Sequence, residues 1–355
     1  MIKKLLRVLM RIVLLIVLLA AVLVLVLSLT EYKPADRETA AVTGSAAGTV
    51  SPGGTLNIVS WNIGYGALGD NTDFFMDGGS MVKSADRQRL EQNLNGIRDW
   101  LDAQAADVML LQEVDAGSDR SERINEADFL ARDQSGAETA FAHNFKALFV
   151  PYPLPPIGHV ESGLLTLSRL HMTGAERVSL PCPFSWPVRT VNLKRCLLVS
   201  RVPVTGTDRE LVLINLHLEA YDSGEGKIAQ TRQLAGLLKA EADKGNYVIA
   251  GGDFNQIFSG ATDGPWPVEA GKWAPGVIDQ ADFDPRLRLL MDARTPSCRS
   301  LDRPLKGADK DTFQYYLIDG FIVSDNLRVE ALETVGLDFV HSDHNPVRLT
   351  VTLGE

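Results

Sequence analysis

The chain has 355 residues, 45% of them hydrophobic and 23% charged, with 30 Gly, 17 Pro and 3 Cys, which excludes a disordered, collagen-like or disulfide-built protein and requires a packed core. Four of its 35 basic residues and none of its 45 acidic ones fall in the first thirty positions, so residues 31–355 carry 31 basic against 45 acidic side chains, a net −14. That balance argues against a partner held by phosphate neutralisation alone, but not against a polyanionic substrate gripped through a metal ion.

From Ile12 to Leu29 Ser28 is the only polar residue. At about 1.5 Å rise per residue this stretch spans about 27 Å, close to the hydrocarbon thickness of a bilayer. A secretory signal has a shorter apolar stretch and a small-residue cleavage site close behind it, whereas Gly44-Ser45-Ala46-Ala47-Gly48 lies well downstream. Residues 1–30 are therefore expected to be a single-pass membrane anchor through residues 12–29. Lys3, Lys4, Arg7 and Arg11 precede the apolar stretch while Glu31, Asp36 and Glu38 follow it. The positive-inside rule then puts the N-terminus in the cytoplasm and the rest of the chain outside the cell membrane. Residues 31–54, rich in Ala, Gly, Thr, Ser and Pro, read as a flexible tether, and 55–355 as one folded domain.

Leu56–Trp61 and Asp107–Gln112 read as strands, separated by a helix within Ser84–Ala105 that places Leu90, Leu94, Ile97 and Leu101 on one face. The same strand, helix, strand order recurs as Leu211–Leu218, Lys227–Ala242 and Tyr247–Ala250. Further strands are expected at Thr139–Val150, Gly163–Ser168, Arg195–Arg201, Tyr315–Val323, Leu327–Thr334 and Val347–Leu353. Strands outnumber helices, so the fold class is α/β with mixed sheets.

Several of these strands end in carboxylates, amides or imidazoles, where α/β scaffolds display reactive groups. The ends are Trp61-Asn62, Gln112-Glu113, Asn215-Leu216-His217, Gly252-Asp253-Phe254-Asn255 and Ile318-Asp319-Gly320, with Ser342-Asp343-His344-Asn345-Pro346 before the last strand. A lone Gly-Asp-x-Asn is an ordinary turn that caps its own backbone. Six such segments in succession form a pattern.

In order and residue type the series Ser60-Trp61-Asn62, Leu111-Gln112-Glu113, Asn215-Leu216-His217, Gly251-Gly252-Asp253-Phe254-Asn255, Tyr316-Leu317-Ile318-Asp319 and Ser342–Pro346 resembles the endonuclease/exonuclease/phosphatase superfamily. That group contains pancreatic-type deoxyribonucleases, abasic-site endonucleases, neutral sphingomyelinases and inositol-polyphosphate phosphatases. The resemblance covers about residues 55–355. It implies a four-layered sandwich of two mixed β-sheets flanked by helices, a divalent metal, usually Mg²⁺ with Mn²⁺ or Ca²⁺ as substitutes, and hydrolysis of a phosphoester.

The residue chemistry agrees. A phosphodiester repels nucleophiles, so its hydrolysis needs a hard cation and an activated water. Glu113 is the best Mg²⁺ ligand, with Asn62 and Asp343 as partners, because Mg²⁺ prefers oxygen donors. Asp253 is the expected general base, and Asn255 an amide donor to a phosphate oxygen. The resemblance further implies that His217 and His344 contact the scissile phosphate, each held by a carboxylate. Asp319 is the natural holder of His344, whereas His217 has no sequence-local holder and is the expected leaving-group acid.

Other residues divide less sharply. Glu161 or Ser162 could touch the phosphate, although packing explains most of Gly163–Arg169. The Asn62–Ser84 loop, with Asp70, Asp73 and Asp77, fits a solvated turn better than a calcium loop. The aromatics of the long Gln256–Phe313 segment, Trp266 and Trp273 among them, are expected to cover the sheet. Cys182 and Cys196 are spaced for a hairpin disulfide, yet Cys196 lies in an apolar run and reads as a buried thiol. Two histidines with a Gly-Asp-Phe-Asn loop most resemble the pancreatic-type enzymes, which implies a slight preference for a nuclease, although sphingomyelinases share that arrangement. The alternatives are a phospholipid headgroup phosphodiesterase or phosphatase of sphingomyelinase or phosphoinositide type, and a non-catalytic surface binding protein on the same fold. No protein partner follows from the residues.

Overall fold

The computed structural model describes residues 2–132, 134, 136–222, 224–262 and 264–355. It opens with α1 (Ile2–Leu29), followed by β1 (Arg37–Ala40), β2 (Val42–Gly44) and β3 (Thr55–Asn62). Then α2 (Arg87–Ala103) leads to β4 (Val108–Asp115), and α3 (Glu126–Ala131) to the long hairpin of β5 (Glu138–Val150) and β6 (Gly158–Ser168). Next come β7 (Gly174–Ser179), β8 (Cys196–Pro203), β9 (Glu210–His217), α4 (Glu225–Asp243) and β10 (Tyr247–Asp253). Short strands β11 (Gln256–Phe258), β12 (Gly276–Ile278), β13 (Leu287–Leu290), β14 (Cys298–Arg299) and β15 (Tyr315–Tyr316) precede β16 (Asp319–Ser324), β17 (Leu327–Thr334) and β18 (Val347–Leu353).

Two seven-stranded sheets carry the domain, one in the order β17-β18-β3-β4-β6-β5-β2 and the other β1-β7-β8-β9-β10-β16-β13. Each is mixed, with a single parallel pair at its centre, β3 with β4 and β9 with β10. Both parallel pairs are made by a helical crossover, α2 in one sheet and α4 in the other.

The apolar runs explain the layering. Side chains alternate across a strand, and here both faces are buried. Ile58, Leu110, Leu213 and Ile249 point into the core between the sheets. Their neighbours Val59 and Leu111 meet α2 through Ile97 and Leu101, while Val212, Ile214 and Val248 meet α4 through Leu234 and Leu238. The result is helix, sheet, sheet, helix. Asp86 starts α2 by accepting from the Arg89 amide at 2.8 Å.

Residues 31–54 do not hang free, contrary to the expected tether. β1 pairs with β7 and β2 with β5, so this segment supplies one edge strand to each sheet. The Gly48 amide donates to the Arg169 carbonyl at 3.1 Å, and Ala40 and Val50 enter the core between the sheets. Short edge strands need little apolar surface, which is why composition hid them. One other difference is local: the strand expected at Tyr315–Val323 breaks after Tyr316. Cys196 is a buried free thiol, as its apolar run suggested, and Cys182 is free and exposed.

α1 is the one helix among the described residues long and apolar enough to cross a membrane, judged by length and composition, and its side chains are almost wholly exposed.

An ion-pair knot ties α4 to its sheet. Glu241 Oε1 accepts from Arg201 Nη2 at 2.6 Å and Glu241 Oε2 from Asn246 Nδ2 at 2.7 Å. Burial pushes the Glu241 carboxyl up, but hydrogen bonds from Arg201, Lys244 and Asn246 outweigh it and hold it down at about 2. Glu241→Gln should therefore lower stability by about 1 kcal/mol at neutral pH, after allowance for solvent screening. The contribution is complete above the ordinary value of 4.5 and fades as pH falls through about 2. Urea unfolding of both proteins at pH 7 and at pH 3 checks this, because the difference should narrow at the lower pH.

Candidate active site

Register brings the polar strand ends together. Asn62 pairs with Gln112 across β3 and β4, and Asp253 pairs with His217 on one side and Asp319 on the other. Ser60 pairs with Val347, so Ser342–Pro346 enters at the same end. One end of the sandwich thus collects all six motifs. Beneath them Gln112 Nε2 donates to Asn215 Oδ1 at 2.8 Å, and Asn215 Nδ2 donates to the Leu111 and Leu165 carbonyls, both at 3.0 Å. These amides pin one sheet to the other, so Asn215 is a structural member of its motif.

Two backbone features aim the side chains. Glu113 sits where the β4–β6 ladder shifts register between Leu111 and Val114, with φ +53°. Such a bulge turns a side chain out of the ladder. Asn255 has φ +50°, and Asp253 Oδ1 accepts from its amide at 2.8 Å. Gly252 is required before that turn, because a Cβ there would lie 1.9 Å from the Leu216 carbonyl oxygen.

Asn62 is the hub. Its Nδ2 lies 3.0 Å from Asp253 Oδ2, 3.3 Å from Glu113 Oε1 and 3.5 Å from His344 Nε2, while its Oδ1 accepts from the Gly64 amide. This differs from the expected role, since the amide turns its nitrogen toward the carboxylates and not its oxygen toward a cation. His217 Nε2 faces Asp253 Oδ2 at 3.3 Å and its Nδ1 faces Glu113 Oε1 at 3.9 Å. The holder that the local sequence lacked is thus Asp253, supplied from the neighbouring strand. His344 Nδ1 lies 2.8 Å from Asp319 Oδ2, as its spacing suggested. Asn255 Nδ2 donates to the Leu218 carbonyl at 2.9 Å, which fixes its amide at the site's edge. Asp343 is buried beside Ser342 and the Gly64 backbone.

Burial and the Asp319 charge push the Asp253 carboxyl up to about 7, and burial with the Glu113 charge raises Asp343 to about 6. Burial opposes charge on His344, yet Asp319, Cys298 and Asp343 outweigh it and raise this imidazole well above its ordinary value. His217 goes the other way, lowered by burial and by Arg195. A neutral His217 fits a hydrogen-bonding role better than that of leaving-group acid, and His344 carries the charge.

The donor set fits a hard divalent cation. Glu113, Asp253 and Asp343 offer carboxylate oxygens, and two buried atoms in the same cluster, His217 Nδ1 and Asp319 Oδ1, have no hydrogen-bond partner. Cys298, to which the sequence assigned no role, has its Sγ within 4.8 Å of a carboxylate oxygen of Asp343 and a ring nitrogen of His344; β14 brings it there through a backbone bridge to His344. Glu161 is engaged by Lys146 at 2.9 Å beside His143 and His159, and Ser162 is buried in the ladder. The Asn62–Ser84 loop packs down instead of standing in solvent. Arg299 holds its Gly69 carbonyl at 2.7 Å, and Asp77 Oδ1 accepts from Tyr221 Oη at 2.9 Å. Trp273 donates to the Ala220 carbonyl at 3.0 Å beside this rim.

A four-layered sandwich with polar residues gathered at the central strand ends of both sheets is the endonuclease/exonuclease/phosphatase fold. The sequence profile of the Endonuclease/Exonuclease/phosphatase family matches residues 59–344, and the chain belongs to that family. Its members are in general phosphoester hydrolases that use a divalent metal. Among solved structures, an endonuclease/exonuclease/phosphatase from Beutenbergia cavernae DSM 12333 is 19% identical at a TM-score of 0.53, covering 84% of this chain and 72% of that one. TDP2 from D. rerio, complexed with a single strand DNA product, is 16% identical at 0.52, covering 84% and 99%. The human Nocturnin catalytic domain, with a bound sulfate anion, is 15% identical at 0.51, covering 88% and 97%. At such identities the likeness concerns the fold. No curated protein matches the sequence.

Proposed function

We propose that this chain is a Mg²⁺-dependent phosphodiester hydrolase anchored to a membrane by α1. The observation that carries the reading is the convergence on Asn62, whose amide nitrogen lies within 3.5 Å of Glu113, Asp253 and His344, residues from three distant parts of the chain. Glu113 and Asp343 would hold the cation, with Asn62 orienting the carboxylates around it. The bound ion supplies charge neutralisation at the phosphate.

The side chains then divide the work. Asp253 takes a proton from the attacking water as its oxygen bonds to phosphorus. His344, held by Asp319, returns a proton to the leaving oxygen as the phosphorus–oxygen bond to it breaks. The second amide hydrogen of Asn255 donates to a non-bridging oxygen, while His217, whose Nε2 faces Asp253 Oδ2, orients that carboxylate. The cationic N-terminal tip and the acidic residues after α1 support a cytoplasmic N-terminus with the catalytic domain outside the cell.

A direct test incubates the full chain in detergent micelles with plasmid DNA, RNA, sphingomyelin and phosphoinositides, each with Mg²⁺ and with excess chelator. Turnover of at least one substrate with Mg²⁺, abolished by chelator and restored by added metal, is the expected result. Turnover indifferent to chelator would overturn the metal assignment.

A further inference from the structure

The end of α1 is clamped to the rim of the site. Trp186 Nε1 donates to Ser28 Oγ at 3.0 Å, and Trp186 lines one shallow groove with Ala21, Val24 and Leu25. Just beyond the helix, Glu31 Oε1 is held by Lys194 at 3.2 Å and Arg189 at 3.3 Å. A helix that crosses a bilayer therefore carries the loop around Trp186 down to the depth of its own last turns. The bond to Ser28 sets the indole nitrogen at the end of the apolar span, the interfacial level where aromatic side chains are favoured, and the groove runs about 10 Å farther along the helix to Ala21.

This loop belongs to one lobe with the β5–β6 hairpin. Val191 and Leu193 pack against Phe145, Ala147, Val150 and Val160. The hairpin runs past the end of β4, whose Asp115 pairs with Ser162 while Val150 pairs with Gly158 farther out. Four to five extra residue pairs extend it about 15 Å beyond the strand ends that bear the site. From Ala147 to Gly158 there is no charged residue, nor is there one from Leu180 to Val188, in a domain with a large excess of carboxylates. Tyr152, Leu154, Trp186 and Val188 are all more than half exposed, Leu154 at 88%. Unpartnered apolar side chains of this kind mark a contact surface.

The surface continues to the site. The Tyr152 ring meets Phe75 at 5.9 Å, and two residues on, Asp77 accepts the Tyr221 hydroxyl at the mouth. We propose that this rim is pressed into the leaflet on the domain's side of the bilayer crossed by α1, and that the phosphodiester cleaved belongs to a lipid headgroup of that leaflet. The substrate half rests on the hydrolase reading above; the docking half rests on the rim and on α1 crossing the bilayer. A site facing the membrane draws a bilayer substrate at high effective concentration, whereas a duplex would have to enter between rim and leaflet.

The test uses the full chain in proteoliposomes of phosphatidylcholine, sphingomyelin and phosphatidylinositol with Mg²⁺. In a Cys182→Ser background, where the two remaining native thiols are buried, Leu154→Cys carries an environment-sensitive fluorophore. A blue shift with quenching by brominated lipid supports the docked rim, and a label that stays in water overturns it. Tyr152→Asp with Leu154→Asp should lower hydrolysis of vesicle lipid at least about tenfold, because charge at the interface opposes insertion. The same pair should leave the water-soluble diester bis(4-nitrophenyl) phosphate within about twofold of wild type, which also shows that the variant is folded. Undiminished lipid turnover in this variant would overturn the rim's part in reaching the leaflet, whereas cleavage of added DNA or RNA with no vesicle lipid cleaved would overturn the lipid assignment and leave the hydrolase standing. Failure of the wild type on the soluble diester as well would overturn the hydrolase reading, and with it the substrate half, while the label still decides the rim.

Discussion

Asp253→Asn is expected to lower turnover of a phosphodiester at saturating Mg²⁺ by at least about 10²-fold without loss of fold. The substitution keeps size and can keep the acceptor for the Asn255 amide, now at 2.8 Å. What it removes is the basic oxygen that faces both Asn62 Nδ2 and His217 Nε2. An amide nitrogen there would present donors to donors, and an amide oxygen cannot accept the proton of a water at neutral pH. Stability should move in the opposite direction. The buried Asp253 carboxylate repels Asp319 across the β10–β16 pair, so neutralising it should leave the melting temperature unchanged or raised. Single-turnover kinetics with a melting curve on the same preparation checks both parts, and near-normal turnover would sink the assignment of Asp253 as base.

Glu113→Gln should act through the metal. The side chain sits on a bulge at the mouth and is the most exposed carboxylate of the cluster, 25% against 2% for Asp253, which suits a ligand that meets a partly hydrated ion. Gln preserves shape but removes the negative charge. The Mg²⁺ concentration for half-maximal activity should rise about 10- to 100-fold, and turnover at low Mg²⁺ should fall in proportion. Calorimetric titration of Mg²⁺ into both proteins, with no substrate present, gives a readout independent of catalysis. Equal Mg²⁺ affinity in the two would remove Glu113 from the metal site.

The parts of this architecture that were legible in the sequence were those with strong local signals. The spacing of Leu90, Leu94, Ile97 and Leu101 marked α2, and the continuous apolar runs ending in polar residues marked β3, β4, β9 and β10. Because those strands are central and two pairs are parallel, their C-terminal ends had to meet, which is why the motif residues fall together. Other features depended on tertiary contact and had no local signature. The orientation of the Asn62 amide is set by the Gly64 backbone, and the partner of His217 comes from a neighbouring strand. Cys298 reaches His344 by a backbone bridge across more than forty residues. The edge strands β1 and β2 escaped notice because Arg-Glu-Thr-Ala and Val-Thr-Gly have too few apolar residues to show a period.

Those two edge strands determine how the protein can be cut down. A soluble version beginning at Thr55 would strip the last strand from both sheets at once, leaving raw hydrogen-bonding edges on β7 and β5 and vacating the places of Ala40 and Val50. Self-association through those edges would then masquerade as an intrinsic property of the folded domain. Beginning at Glu31 sheds the hydrophobic helix while keeping both borders sealed, so the division between apolar helix and folded domain falls two dozen residues earlier than composition alone would put it.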